Sequence, residues 1–383
     1  MMESIVYVIE LGTSLPAGYV AESKKATEPG DRVLVSTRGF ASTADGHMFV
    51  RLLEQFPTEI LSKLPHEHRP SQVDTLLVVI SPSGTTHIYV NEINAIMTTR
   101  VNTAVKAGQP VSMDVISDIQ RLEFDKVEIP NDAGMLLVFS IGWRRGLYYD
   151  FGPLARSGQE HRKYDLAKVL GGVYAQVLFQ ERFLISDADW TTLFAAQWFL
   201  FIGLPHSLIA KMIMHVQENW SVDDLLVEIA AEVKRKAPEM LSTWRKQDAF
   251  APHLSIVETA IDRFLNGDYI SCTGLLYPRI EGILRTYHRS RHPEQQKSLP
   301  RYLASSAVAT KRDDPDLQSL VLPERFEAYL NCVYFRTFNP DDADIPVSRH
   351  SVSHGEAPPD KFDLKSSVIS ILILHQLFYS FEP

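Results

Sequence analysis

The sequence predicts an α+β protein in three parts: a mixed, largely antiparallel α+β domain over residues 1–155, a helical middle region over 156–250 and an all-helical bundle over 251–383. Three observations carry this expectation. A chain of 383 residues exceeds one typical core. Short β-rich runs dominate before residue 155, and the apolar period becomes three to four residues afterwards. Proline and glycine breaks then separate long helical runs.

In the first part, Ile5 to Leu11 and Arg32 to Arg38 are β-rich and predict strands. His47 to Leu64 has a helical pattern that Pro57 interrupts, and a second helix is expected to restart there because proline suits a first helical turn. Thr75 to Ser81 and Thr86 to Asn91 flank Pro82-Ser83-Gly84, which predicts a hairpin. A second strand pair, Met135 to Trp143 and Gly146 to Phe151, is expected to join through Arg144-Arg145. Gly152-Pro153 closes a strand and opens no glycine-rich cradle, so no phosphate loop is expected.

From Leu166 onward, Leu166, Val169, Leu170, Val173, Val177 and Leu178 recur at helical spacing. Helices are then expected over Asp189 to Ile202, Ser207 to Glu218 and Val222 to Ala237, with Pro205 and Pro238 at their ends and Ser221 with Asp224 starting a capping box. Lys234-Arg235-Lys236 suits the negative end of a helix dipole and reads as a solvated helix end. The last part predicts helices over His253 to Leu265 and Tyr269 to Ser290, with Asn266-Gly267-Asp268 as the break. Residues 291–320 are mixed in charge and predict a loop, Glu324 to Phe338 a helix, and NPDDADIP a loop before a final helix over Lys361 to Phe381. That last helix is apolar nearly all round, so it is expected to be buried on every side, at the centre of a bundle or against a second copy.

Composition narrows the classes. Hydrophobic residues make up 45% and charged ones 22%, as in globular chains, so no large disordered part is expected. A net charge of -9 argues against a general nucleic-acid coat protein, though not against a local basic site. Cys272 and Cys332 both fall in apolar helical patterns and read as small buried hydrophobes in a reducing compartment. Glu3 and Glu10 make the N-terminal run a strand and no export signal, so a cytoplasmic protein is expected. The most apolar window, Leu193 to Leu204, contains Gln197 and stops at Pro205, short of the ~20 residues of a membrane helix. It reads as a buried core helix.

The chemistry concentrates in Ser348-Arg349-His350-Ser351-Val352-Ser353-His354-Gly355, between Pro346 and Pro358-Pro359. The prolines restrict this stretch to a turn or one short helical segment. Arg349 supplies a fixed cation whose planar fork matches phosphate oxygens. His354 can exchange a proton near neutral pH. Together they suffice for metal-free RNA cleavage: a histidine deprotonates the ribose 2′-OH, that oxygen attacks the adjacent phosphorus, and arginine stabilises the developing charge.

The stretch resembles the signature of the HEPN domains, an arginine, a polar residue, three variable residues and a histidine, which Arg349 to His354 fits at every position. Leu275 to Arg285 is similar to the second helix of many such proteins, and Phe362 to Phe381 to their final helix. The resemblance covers roughly 251–383 and implies a homodimer in which two motifs form one composite site. It further implies that Arg349 and His354 are catalytic, that His350 supports or orients them, and that Glu281 is a buried polar partner. The function it implies is a metal-independent endoribonuclease of the toxin or defence-effector kind, without cofactor, acting on RNA and held by a regulatory partner such as an antitoxin. The alternative is an adaptor that binds RNA or nucleotide without cutting it.

Arg279, Arg285, Arg289, Arg291, Lys297 and Arg301 against Glu281 and Glu294 leave +4 on the segment 279–301, with Tyr287 and Tyr302 interleaved. This reads either as an RNA backbone track, with Arg285, Arg289 and Arg291 as its binding cations, or as a solvated helix face. His288-x3-His292 and His350-x3-His354 could supply four nitrogens to zinc, but Pro293 ends the first helix and no carboxylate or cysteine ligand is evident. His66-Glu67-His68 reads as an exposed loop and no ligand set.

Overall fold

The structure, a computed structural model, describes residues 6–10, 22–23, 29, 35–36, 38–42, 57–65, 68–69, 72–155, 162–294, 299–314, 316, 318–339, 341 and 344–382. They form an α+β protein, as the apolar periods predict, in two compact units: Met1–Thr98 with Ile119–Leu184, and Thr99–Asp118 with Ile185–Pro383. The boundaries differ from the three expected parts. The helix Leu166–Leu178 buries Leu170, Val173 and Val177 in a core it shares with the sheet, so it belongs to the first unit. The helices from 185 to 250 belong with the bundle, because the last of them packs on the chain's final helix.

The first unit is built on a six-stranded antiparallel sheet. Its strands are β1 (Val6–Glu10), β4 (Arg38–Ser42), β5 (Thr75–Ile80), β6 (Thr85–Val90), β9 (Gly134–Ile141) and β10 (Arg144–Asp150), in the order β1-β6-β5-β9-β10-β4. Side chains alternate between two covered faces. Leu76, Val78 and Ile80 of β5 enter one core with Leu136, Val138 and Leu147, while Leu77 and Val79 enter the other with Met135, Leu137 and Phe139. Both faces being covered explains the uninterrupted apolar run in β5. The β5–β6 hairpin turns at Gly84, whose φ of 95° suits glycine. The β9–β10 turn is Gly142-Trp143, with Arg144 already paired to Ile141, so the expected junction at Arg144-Arg145 moves two residues back. Gly142, with φ 59°, accounts for the shift.

Two further short pairs were not expected: β2 (Glu22–Ser23) with β3 (Val35–Ser36), and β7 (Ala95–Val101) with β8 (Ile116–Phe124). Of the strand expected over Arg32 to Arg38, only 35–36 and 38 are described, within β3 and β4; of the helix expected from His47, residues 47–56 lie outside the described residues, and 57–61 is helical.

The second unit is helical: α2 (Asp187–Ala195), α3 (His206–Gln217), α4 (Leu226–Trp244), α5 (Leu254–Leu265), α6 (Tyr269–Arg291), α7 (Pro300–Arg312), α8 (Pro323–Tyr329), α9 (Arg349–His354) and α10 (Leu364–Phe381), with Leu166–Leu178 of the first unit as α1. Four expectations are corrected here. The helix expected to reach Ile202 ends at Ala195. Gln197 adopts φ 61°, and residues 198–202 are buried and non-helical, with the Ile202 amide donating to Gln376 Oε1 at 2.8 Å. Pro238 lies inside α4 instead of ending it, because Met240 and Trp244 beyond it are buried and hold the last turns. The expected loop over 291–320 contains α7, whose buried face includes the small residues Ala304, Ser306 and Ala307 beside Leu303 and Val308. Cys332 is exposed, whereas Cys272 is buried.

The final helix α10 is central. It packs against α4, α6 and α7, and 16 of its 18 residues, from Ser366 to Phe381, are buried within this one chain. Among the described residues it is the one helix long and apolar enough to cross a bilayer, and its burial inside the unit accounts for that composition. A second copy is not needed to cover it.

Candidate functional site

The motif forms a self-contained helix of one and a half turns. Ser348 caps its start: Ser348 Oγ accepts from the Ser351 amide at 3.2 Å, and Ser351 Oγ accepts from the Ser348 amide at 2.9 Å. This is a capping box with serine at the third position, where glutamate or glutamine is the usual signal. Gly355 ends the helix at φ 77°, and the Glu356 amide returns to the Ser351 carbonyl at 2.9 Å. Pro358-Pro359 therefore follow a finished helix and distort nothing in it.

Helical rotation separates the motif side chains into two directions. At about 100° per residue, His350 and His354 share a face, whereas Arg349 and His354 diverge by roughly 140°. Arg349 turns inward to α6, where its Nε donates to Glu281 Oε2. The two imidazole rings lie parallel to within 2°, with centroids 6.2 Å apart, and His354 is exposed.

Glu281 is the hub of this contact. Its side chain is 7% exposed and meets two guanidiniums, Arg349 on one oxygen and Arg285 on the other, the latter at 2.5 Å from Nη2 and 2.9 Å from Nε. A carboxylate at this depth is stable only with such partners, and one positive charge remains over from the three groups. Arg349 Nη1 also donates to His350 Nδ1 at 3.3 Å. Burial and the Arg349 charge hold the His350 pKa below its ordinary value. A neutral imidazole accepting at Nδ1 carries its proton on Nε2, so His350 is fixed in one tautomer.

Beneath the hub sits Tyr334, on a π turn over Leu330–Tyr334 that the sequence pattern gave no sign of. Its hydroxyl donates to the Tyr277 carbonyl at 2.6 Å, and the two rings stack at 6.0 Å. Burial, reinforced by the nearby Glu281 charge, pushes its pKa well above the usual tyrosine range, so it remains a donor.

The basic residues of α6 divide. Arg285 and Arg289 continue the Glu281 side of the helix, Arg285 held by the carboxylate and Arg289 exposed. Arg291 points elsewhere: its guanidinium lies over the Tyr287 ring at 5.5 Å and reaches Thr310 of α7 at 3.2 Å. Lys297 lies outside the described residues, as do His66 and Glu67. His288 and His292 lie 4.8 Å apart between ring centroids. Among the described residues, however, no group of three or more His, Cys, Asp or Glu is placed to hold a metal ion, so the four-imidazole zinc arrangement is not formed.

No family model, no curated protein and no solved structure matches this chain.

Proposed function

We propose that the helices over residues 251–383 form a HEPN-type domain and that the protein is a metal-independent endoribonuclease acting on RNA. The observation that supports this most is the capped helix α9, which carries both Arg349 and His354 and leaves the His354 side chain exposed. In the proposed reaction His354 takes the 2′-OH proton, the freed oxygen attacks the neighbouring phosphorus, and the 5′-oxygen departs, leaving a 2′,3′-cyclic phosphate. Arg349 balances charge on the phosphoryl oxygens, and His350 orients it. The divergence of Arg349 from His354 around α9 favours a composite site, in which a homodimer sets the arginine of one chain beside the histidine of the other. A toxin or defence role, restrained by a partner, fits such an activity.

The alternative is an RNA- or nucleotide-binding adaptor that does not cut. One observation favours it: the Arg349 guanidinium is already engaged by Glu281, which suits an anchoring role as well as a catalytic one. Sedimentation together with an RNA cleavage assay separates the two. The nuclease requires a dimer at micromolar concentration and loses at least ~100-fold in rate in Arg349→Ala and His354→Ala. RNA binding without cleavage by the wild-type protein establishes the adaptor instead.

A further inference from the structure

Three flat rings line the outward side of the motif helix. Phe338, in the segment leaving the π turn, has its ring centroid 6.4 Å from that of His354, with the planes tilted by 55°. His354 in turn lies 6.2 Å from His350. The bundle's own filling aromatics, Phe326, Tyr329 and Tyr334, are almost wholly buried, at 0 to 1% exposure. Phe338 is only half-buried, and its neighbours Arg336, Thr337 and Asn339 are exposed. Phe338 is thus partly accessible beside an exposed imidazole, unlike the aromatics that fill the bundle.

We propose that Phe338 is a stacking platform for an unpaired nucleobase next to the phosphodiester addressed by Arg349 and His354, so that the substrate class is single-stranded RNA. The inference rests on the ribonuclease reading of the same site. Stacking requires a base whose face is free, and in a duplex both faces are already covered by neighbouring pairs. Because every base has a π face, the platform tolerates sequence while selecting strandedness. Exposed Arg336 and Asn339 flank Phe338 in the chain and can meet the backbone and base edges of the same nucleotide.

The test compares wild type, Phe338→Leu and Phe338→Trp on a mixed-sequence single-stranded RNA and on its duplex. A 2′-O-methyl oligonucleotide carrying 2-aminopurine, which cannot be cut by 2′-OH attack, reports stacking by fluorescence quenching. Leucine keeps apolar volume and removes the flat face, and thermal melting confirms that it folds. The expected result is that Phe338→Leu raises KM about tenfold, the equivalent of ~1.4 kcal/mol and the effect of one lost stacked base. Turnover stays within about twofold, quenching is lost, tryptophan restores both, and duplex is cut at least about tenfold more slowly. If wild type cuts RNA but Phe338→Leu keeps its KM and quenching, or duplex is cut equally well, the platform is overturned while the ribonuclease stands. If wild type neither binds nor cuts either RNA, the ribonuclease reading falls and the platform with it.

Discussion

Arg349 on the motif helix and Glu281 on the long helix α6 form an ion pair between a partly exposed and a buried side chain, 24% and 7% exposed respectively. The pair fixes which way the motif helix faces. With Arg349 drawn inward to Glu281, the remaining face, carrying His350 and His354, is the one left toward solvent.

This pairing gives a prediction about stability that is separate from any activity. Glu281→Gln leaves Arg349 and Arg285 without their shared anion, and the loss should be about 1–3 kcal/mol, reduced from the fully buried case because both arginines reach solvent. A double-mutant cycle with Arg349→Gln, read by urea unfolding, should return a coupling of roughly 1–2 kcal/mol. A coupling near zero means that the pair does not hold the helix in place.

The end of the motif helix supplies a second prediction. A Cβ at Gly355 meets nothing within 4 Å, so the only penalty for a side chain is the backbone conformation at φ 77°. Gly355→Ala should therefore cost about 1 kcal/mol, whereas Gly355→Asn, which tolerates the left-handed region better, should cost less. Equal losses in the two variants would point to a steric cause that the structure does not contain.

His375, in the middle of α10, makes acid stability a third test. It is buried, accepts from Trp244 Nε1 at 3.3 Å, and its pKa is pushed down from 6.5 to about 3 by burial, with Lys236 adding to the shift. The folded state thus releases a proton that the unfolded chain binds below pH 6.5. Stability from this group is complete above that pH and is lost as pH falls toward the folded value, by about 1.4 kcal/mol per pH unit. Between pH 7 and pH 5 the wild type should lose about 2 kcal/mol more than His375→Phe, measured by urea unfolding at each pH. Parallel pH profiles for the two proteins would show that His375 is not buried as neutral imidazole.

What could be read from the sequence followed from how cleanly burial imposes a period. β5 and β9 and the helices α3 to α6 and α10 have clear apolar patterns, and the motif's arginine and histidines are legible one by one. Glu281 was marked as a buried polar partner only through the HEPN resemblance, not by any local pattern of its own. The strand β7 did not, because its residues are exposed or half-exposed on both faces and no alternation results. The non-helical run 198–202 is apolar throughout, and periodicity alone cannot separate such a run from a buried helix. In α7, alanines form much of the buried face and mute the signal. Tyr334 and Phe338 meet the motif only through tertiary packing, which no local spacing records.

The most direct measurement of the central claim is RNA cleavage in the presence of EDTA, comparing wild type with His354→Ala and mapping the product ends. The account predicts fragments ending in 2′,3′-cyclic phosphate from the wild type, undiminished by the chelator, and at least ~100-fold less from the mutant. Intact RNA under wild-type protein, or cleavage that EDTA abolishes or that survives unchanged in His354→Ala, contradicts it.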